Sequence, residues 1–117
     1  IPTLKLLGKQ TPIGGGGYFR LYPYPLNKFL ISRYLKKEQQ PYSFYFHPWE
    51  FWEMPEGVIH FGEGGVIPDP FLTKGCGSYC LKQVELLIDW LKSKDASFLT
   101  AGQCARKWKN ILAQADL

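Results

Sequence analysis

Hydrophobic and polar positions change period several times along the chain. Thr3 to Leu7 is a short, mostly apolar segment closed by Gly8, and Thr11-Pro12-Ile13 reads as a second extended piece bounded by turn formers. After Pro23 and Pro25 the spacing becomes helical. Leu26, Phe29, Leu30, Tyr34 and Leu35 share one face, Asn27, Lys28, Arg33 and Lys36 the other. This helix ends by Gln40, because Pro41 disfavours helical angles in the residue before it. Tyr42-Ser43-Phe44-Tyr45-Phe46 is an aromatic run of the length of one buried strand, and it delivers His47 at its C-terminal end, before Pro48-Trp49-Glu50. Phe51 to Tyr79 is rich in glycine and proline with little periodicity, which predicts a long irregular loop. From Leu81 the pattern is helical, with Val84, Leu87, Ile88 and Leu91 inward and Lys82, Glu85, Asp89 and Lys92 outward. Ser97 to Thr100 reads as a short strand, and Gln103 to Ala115 as a final helix with Cys104, Trp108, Ile111 and Leu112 inward.

Alternation of extended and helical segments predicts an α/β architecture, parallel strands with helices packed outside and right-handed crossovers. Two or three parallel strands leave faces and edges that three helices do not cover, so the pattern looks like the last third of a barrel. The 117 residues have room for one domain, residues 1–117, and that domain is expected to be incomplete. The chain opens on Ile1 without a start methionine, which favours a piece of something longer.

Composition narrows the classes. Hydrophobic residues make up 45% and charged residues 21%, as in an ordinary globular protein, which excludes disordered, collagen-like and coiled-coil classes. Aromatic content is high at 16%. Most of these rings lie between Tyr18 and Phe61, where they can build a core or line a sugar cleft, since sugar rings stack on flat apolar faces. The net charge of +4 comes from cations scattered over helix faces, as at Lys36-Lys37 and Arg106-Lys107-Lys109, so no nucleic-acid partner is expected. Three cysteines cannot form a complete disulfide framework, which favours reduced thiols and the cytoplasm. No apolar run reaches the roughly 18 residues of a membrane span, and no signal peptide is visible.

Candidate chemistry centres on His47. In parallel α/β folds the carboxyl ends of strands carry the site, and an imidazole with a pKa near about 6.5 can hand a proton to a leaving group at neutral pH. A packed, hydrogen-bonded histidine beside Trp49 is the plain alternative.

The surrounding residues add to this reading. Gly15-Gly16-Gly17-Tyr18-Phe19-Arg20-Leu21-Tyr22-Pro23, a helix, and Phe44-Tyr45-Phe46-His47-Pro48-Trp49-Glu50 resemble the C-terminal region of polysaccharide deacetylases. These are the NodB-homology superfamily of carbohydrate esterases, and the likeness is to bacterial members of exopolysaccharide loci. Lys74 to Tyr79, the Leu81 helix and Ser97 to Thr100 fit that family's last helix and strand, so the resemblance covers nearly the whole chain. It implies a distorted (β/α)7 barrel in which a divalent metal, usually zinc, activates water against an N-acetyl carbonyl. It also implies an Asp-His-His metal triad, an aspartate base on the first strand, and a late-strand histidine that protonates the departing amine. His47 matches that last residue. The metal and base strings are absent: no Thr-Phe-Asp-Asp and no His-Ser/Thr-x-x-x-His occurs, and Asp69, Asp89, Asp95 and Asp116 stand in other contexts. This chain alone is therefore expected to hold no metal at that site, and to work with the N-terminal part of the barrel, in the same or another chain, on a polysaccharide or oligosaccharide.

Other residues carry two readings each. Tyr18 and Arg20 can line the sugar cleft, or Arg20 can pair with Glu50 or Glu53 and pin the loop. Trp49 and Trp52 can stack on a sugar or belong to the core, and Glu50 can orient His47 or cap the following turn. Cys76, Cys80, Cys104 and His60 lack the paired spacing of structural zinc sites. Cys76 to Cys80 departs from the papain-type nucleophile string, and the Gly14–Gly17 run lacks the Lys-Ser/Thr of a phosphate loop. Two other functions stand beside the deacetylase reading: a non-catalytic carbohydrate-binding module, and a module that completes a barrel with another chain.

Overall fold

A computed structural model of the chain describes residues 2–38 and 40–115, Ala115 by its backbone alone. Ile1 and Asp116 lie outside the described residues. The chain divides into two compact units, residues 1–87 and 88–117.

The first unit opens with an antiparallel hairpin of β1 (Thr3–Leu6) and β2 (Lys9–Pro12), in register from Thr3 opposite Pro12 to Leu6 opposite Lys9. Leu7 and Gly8 make the turn at φ of 47° and 82°. A two-residue loop with both φ values positive twists to match an antiparallel pair, whereas parallel strands need a crossover of a dozen residues. The glycine run then winds at once into α1 (Gly16–Leu21), and α2 (Tyr24–Glu38) follows. Asn27 joins these two helices: its buried amide donates to the carbonyls of Phe19 (2.9 Å) and Tyr22 (3.2 Å).

The predicted parallel α/β sheet, the part of a (β/α)7 barrel, does not form: the sheets are two separate antiparallel pairs, β1-β2 and a second hairpin described below. The Tyr42–Phe46 run is extended, but its parallel pairing stops at one rung, Gly15 opposite Tyr45. Tyr45 N–H donates to the Gly14 carbonyl (2.9 Å), and its own carbonyl accepts from Gly16 N–H (2.8 Å). The next residues of the partner segment are already helical, so no further rung is available. Nor does Ser97–Thr100 form a strand. Thr100 instead starts the last helix, its hydroxyl accepting from Gln103 N–H (3.3 Å) while the Gln103 amide oxygen accepts from Thr100 N–H (2.8 Å). This reciprocal pair is a capping box, whose Thr-x-x-Gln spelling competes with a strand reading.

The Tyr42–Phe46 run is half-buried by alternation rather than buried on both faces. Tyr42, Phe44 and Phe46 form one row of rings, with centroids 4.8 Å and 5.3 Å apart, and Phe19 of α1 meets Phe44 and Phe46 edge-on at 5.4 Å and 5.7 Å. The row continues into the core of Leu4, Ile13, Leu30 and Tyr34, where the Tyr42 hydroxyl donates to the Ile13 carbonyl. Ser43, Tyr45 and His47 take the opposite, exposed parity.

A 3-10 turn (Pro48–Phe51) leads into the stretch expected to be an irregular loop, which carries a second antiparallel hairpin of β3 (Ile59–Phe61) and β4 (Gly64–Val66) and a one-turn helix α3 (Pro70–Thr73) capped by the Asp69 carboxylate on Phe71 N–H. Helix α4 (Ser78–Lys92) begins three residues before the predicted start, and Cys80 and Leu87 are its buried residues. In the second unit the end of α4 is followed by α5 (Ala101–Ala115). Among the described residues no helix is long and apolar enough to cross a membrane.

Candidate functional site

The alternation that turns Phe44 and Phe46 inward turns the His47 ring outward, where it is exposed. Pro48, with its fixed φ, starts the 3-10 turn directly after it. The His47 carbonyl accepts from Glu50 N–H (3.0 Å), and His47 N–H donates to Glu50 Oε1 (2.8 Å), so the turn closes through both backbone and side chain.

Glu50 is fixed from below. Its Oε2 accepts from Arg20 Nε at 2.8 Å, with the two side chains only 2% and 1% exposed. Arg20 also donates from Nη1 to the Lys74 carbonyl, and the Glu50 carbonyl accepts from Gly77 N–H (2.9 Å). One ion pair thus ties α1, the His47 turn and the approach to α4 together. A buried pair resists loss only when further hydrogen bonds meet its other donors and acceptors, and here the Lys74 carbonyl meets Arg20 Nη1 and His47 N–H meets Glu50 Oε1.

Two glycines make room for carboxylates. A Cβ on Gly16 would stand 2.2 Å from Glu50 Oε2, so a side chain there would displace the carboxylate from the start of α1. Gly77, at φ +74°, gives the same clearance to Glu53, whose Oε1 accepts from Ser78 N–H (2.7 Å) at the start of α4. Hydrogen bonds from Ser78 hold the Glu53 carboxyl below its ordinary range. The N-terminus of a helix favours negative charge in this way.

Around the imidazole, the Tyr45 ring stands edge-on at 4.7 Å with its hydroxyl 3.4 Å from His47 Nδ1. Trp49 stacks on it at 5.5 Å and 18°, and the Arg20 guanidinium lies 5.6 Å from the Trp49 ring centre. His47, Trp49, Arg20 and Glu50 are therefore brought into one cluster. Tyr18 joins another, packing against Tyr22 and Phe71.

Of the two readings of Arg20, the geometry selects the pin: its charge is buried and spent on Glu50, and both residues are withdrawn from solvent. Glu50 likewise orients the turn from within. Trp49 is half-buried under His47, whereas Trp52 is 74% exposed. Sequence reasoning passed over Tyr45, although the period of two that exposes His47 places Tyr45 on the same face. Gly16 and Gly77 are visible only once the carboxylates beside them are placed.

The cluster offers an accessible imidazole on a turn held by the Arg20–Glu50 pair. Among the described residues no three His, Cys, Asp or Glu side chains converge to hold a metal ion. Cys76 and Cys80 are buried free thiols, and burial pushes both up, Cys80 to about 11, which keeps them protonated and unreactive at neutral pH.

No curated protein and no solved structure matches the chain. Residues 1–59, which hold the glycine run, both hairpin strands and the His47 turn, match one family, described as Domain of unknown function (DUF3473). That match spans more than half of the 117 residues, and the chain belongs to this family.

Proposed function

We propose that this chain is the His47-bearing part of a polysaccharide N-deacetylase, supplying the general acid of amide hydrolysis. What supports the reading is the exposed imidazole held on a turn that a buried ion pair fixes, within the two strings that resemble that enzyme family. An amine leaves a tetrahedral carbon poorly until its nitrogen is protonated. The protonated ring of His47 gives its proton to that nitrogen as the C–N bond breaks, and is left neutral. Tyr45 and Trp49 confine the ring, and the Arg20–Glu50 pair, acting through the backbone of His47, fixes where the ring starts.

The metal that the resemblance implies finds no ligand group among the described residues, so its ligands belong to the remainder of the enzyme, in the same or another polypeptide. The test is acetate release from N-acetylated oligosaccharides by the complete gene product. Removal of a general acid costs about 10²–10⁴-fold, so His47→Ala is expected to lower kcat by that range while bound metal is unchanged. Unchanged turnover in that variant refutes the role.

A second reading, a carbohydrate-binding module without catalysis, is favoured by the exposed rings of Tyr45 and Trp52. It predicts metal-independent quenching or shift of tryptophan fluorescence on addition of oligosaccharide, abolished by Trp52→Ala.

A further inference from the structure

Helix α5 is amphipathic, yet no residue from 101 to 114 is buried. Its apolar side chains fall at Ala101, Cys104, Ala105, Trp108, Ile111 and Leu112, the spacing of one helical stripe. Cys104 and Trp108 are half-covered, while Ile111 and Leu112 remain 43% and 53% exposed. At about 100° per residue the stripe is about 120° wide, and Lys107 and Lys109 stand about 40° beyond its two borders. Arg106 lies on the far side, and no carboxylate occurs between Ala101 and Ala115.

We infer that the α5 stripe docks on the surface of an anionic lipid bilayer, with the helix lying in the plane of the interface. The charge pattern selects this occupant. A helix with a basic polar face, a tryptophan and branched aliphatics on the other face, and little net hydrophobicity sinks its apolar side to the headgroup boundary. Lysines at the borders lay their methylene stems along the apolar layer and reach up to phosphates. Trp108 in the stripe suits the level where tryptophan concentrates. A second copy of α5 across the stripe would face Lys107 and Lys109 with their own counterparts and no acid to answer them, which disfavours self-association. Fifteen residues span about 22 Å, short of the roughly 30 Å hydrocarbon core, so the helix lies on the bilayer rather than through it.

The inference is independent of the role of His47. It is tested by co-sedimenting the full chain with phosphatidylcholine vesicles and with vesicles that also hold phosphatidylglycerol. The chain is expected to pellet with the second only, and to be released by salt. Each lysine at an anionic surface contributes about a fivefold factor, so Lys107→Gln with Lys109→Gln is expected to weaken binding roughly 25-fold. Both positions are exposed, and far-ultraviolet dichroism checks that the helices persist. Brominated lipid is expected to quench the wild type more than Trp108→Phe. A chain that stays in solution with anionic vesicles overturns the inference, and so do lysine variants that bind unchanged. A dimer by gel filtration without lipid binding assigns the stripe to a second copy instead, and an acidic protein partner is left standing if vesicles are ignored by a monomer.

Discussion

Replacing Arg20 with methionine isolates what the buried ion pair contributes. The substitution keeps most of the side-chain volume beside Trp49 but removes the donor 2.8 Å from Glu50 Oε2 and the donor to the Lys74 carbonyl. Glu50 then retains His47 N–H as a partner for one oxygen, in a site that admits almost no water. Breaking a buried pair by deleting one member costs about 3–5 kcal/mol, because a charge is left without compensation. Against a total stability of about 5–15 kcal/mol for a domain, that loss removes a large share. Urea unfolding followed by far-ultraviolet dichroism reads it directly: with a slope of about 1–3 kcal/mol per molar, Arg20→Met should lower the midpoint by roughly 1–5 M. Glu50→Leu is expected to cost a similar amount, since it strands the guanidinium. The double variant should lose less than the sum of the singles, because no unpaired charge remains. A single-variant loss below about 1 kcal/mol would place the pair with exposed salt bridges and refute the reasoning.

Three further outcomes are expected. Gly16→Ala gains up to about 1 kcal/mol of helix propensity but forces the Glu50 carboxylate away from a contact of 2.2 Å, so the melting temperature should fall; a rise would mean that the carboxylate moves freely. Burial holds the Cys80 thiol at about 11, above its ordinary value of 9.0. The folded state therefore keeps a proton that the unfolded chain loses, and stability is full below pH 9 and declines between pH 9 and 11. Cys80→Ala should flatten that decline in urea midpoints measured at pH 8 and 10.5, and equal slopes would remove the thiol as the cause. Tyr42, raised by burial and by Tyr34, acts in the same direction at still higher pH. Finally, Glu53→Gln should weaken the start of α4 by well under the cost of Arg20→Met, since its carboxylate is exposed; comparable losses would show that the two acids form one unit.

Helices α2 and α4 were legible in the residues because each carries an apolar stripe with long, straight-chain neighbours, but only the α4 stripe keeps its predicted face, around Leu87. In α2 Leu30 and Tyr34 are buried, whereas Leu26, Phe29 and Leu35 are exposed and Asn27, expected outward, is buried because its amide joins α1 to α2. Helix α1 was not legible. Its first residues are glycines, whose propensity argues against helix, and it forms because Gly16 N–H meets Tyr45 while Glu50 fills the space a side chain would occupy. The parallel sheet failed for a complementary reason: aromatic runs signal burial, yet strand partners come from elsewhere in the chain, and here the partner segment bends into a helix after one rung. At the candidate site, the position of His47 followed from sequence, but the choice between a sugar-facing and a turn-holding Arg20 did not, since it depends on where Glu50 lies thirty positions away.

The single rung between Gly15 and Tyr45 also fixes parity for the residues on either side of it. Downstream of the rung, gaining or losing one residue before the histidine would invert in from out, swallowing an imidazole and thrusting a phenyl ring into water. Gaining two would preserve the sense. Length variation in this short stretch should therefore come in pairs, and a natural variant with an odd change would need a kink to remain workable.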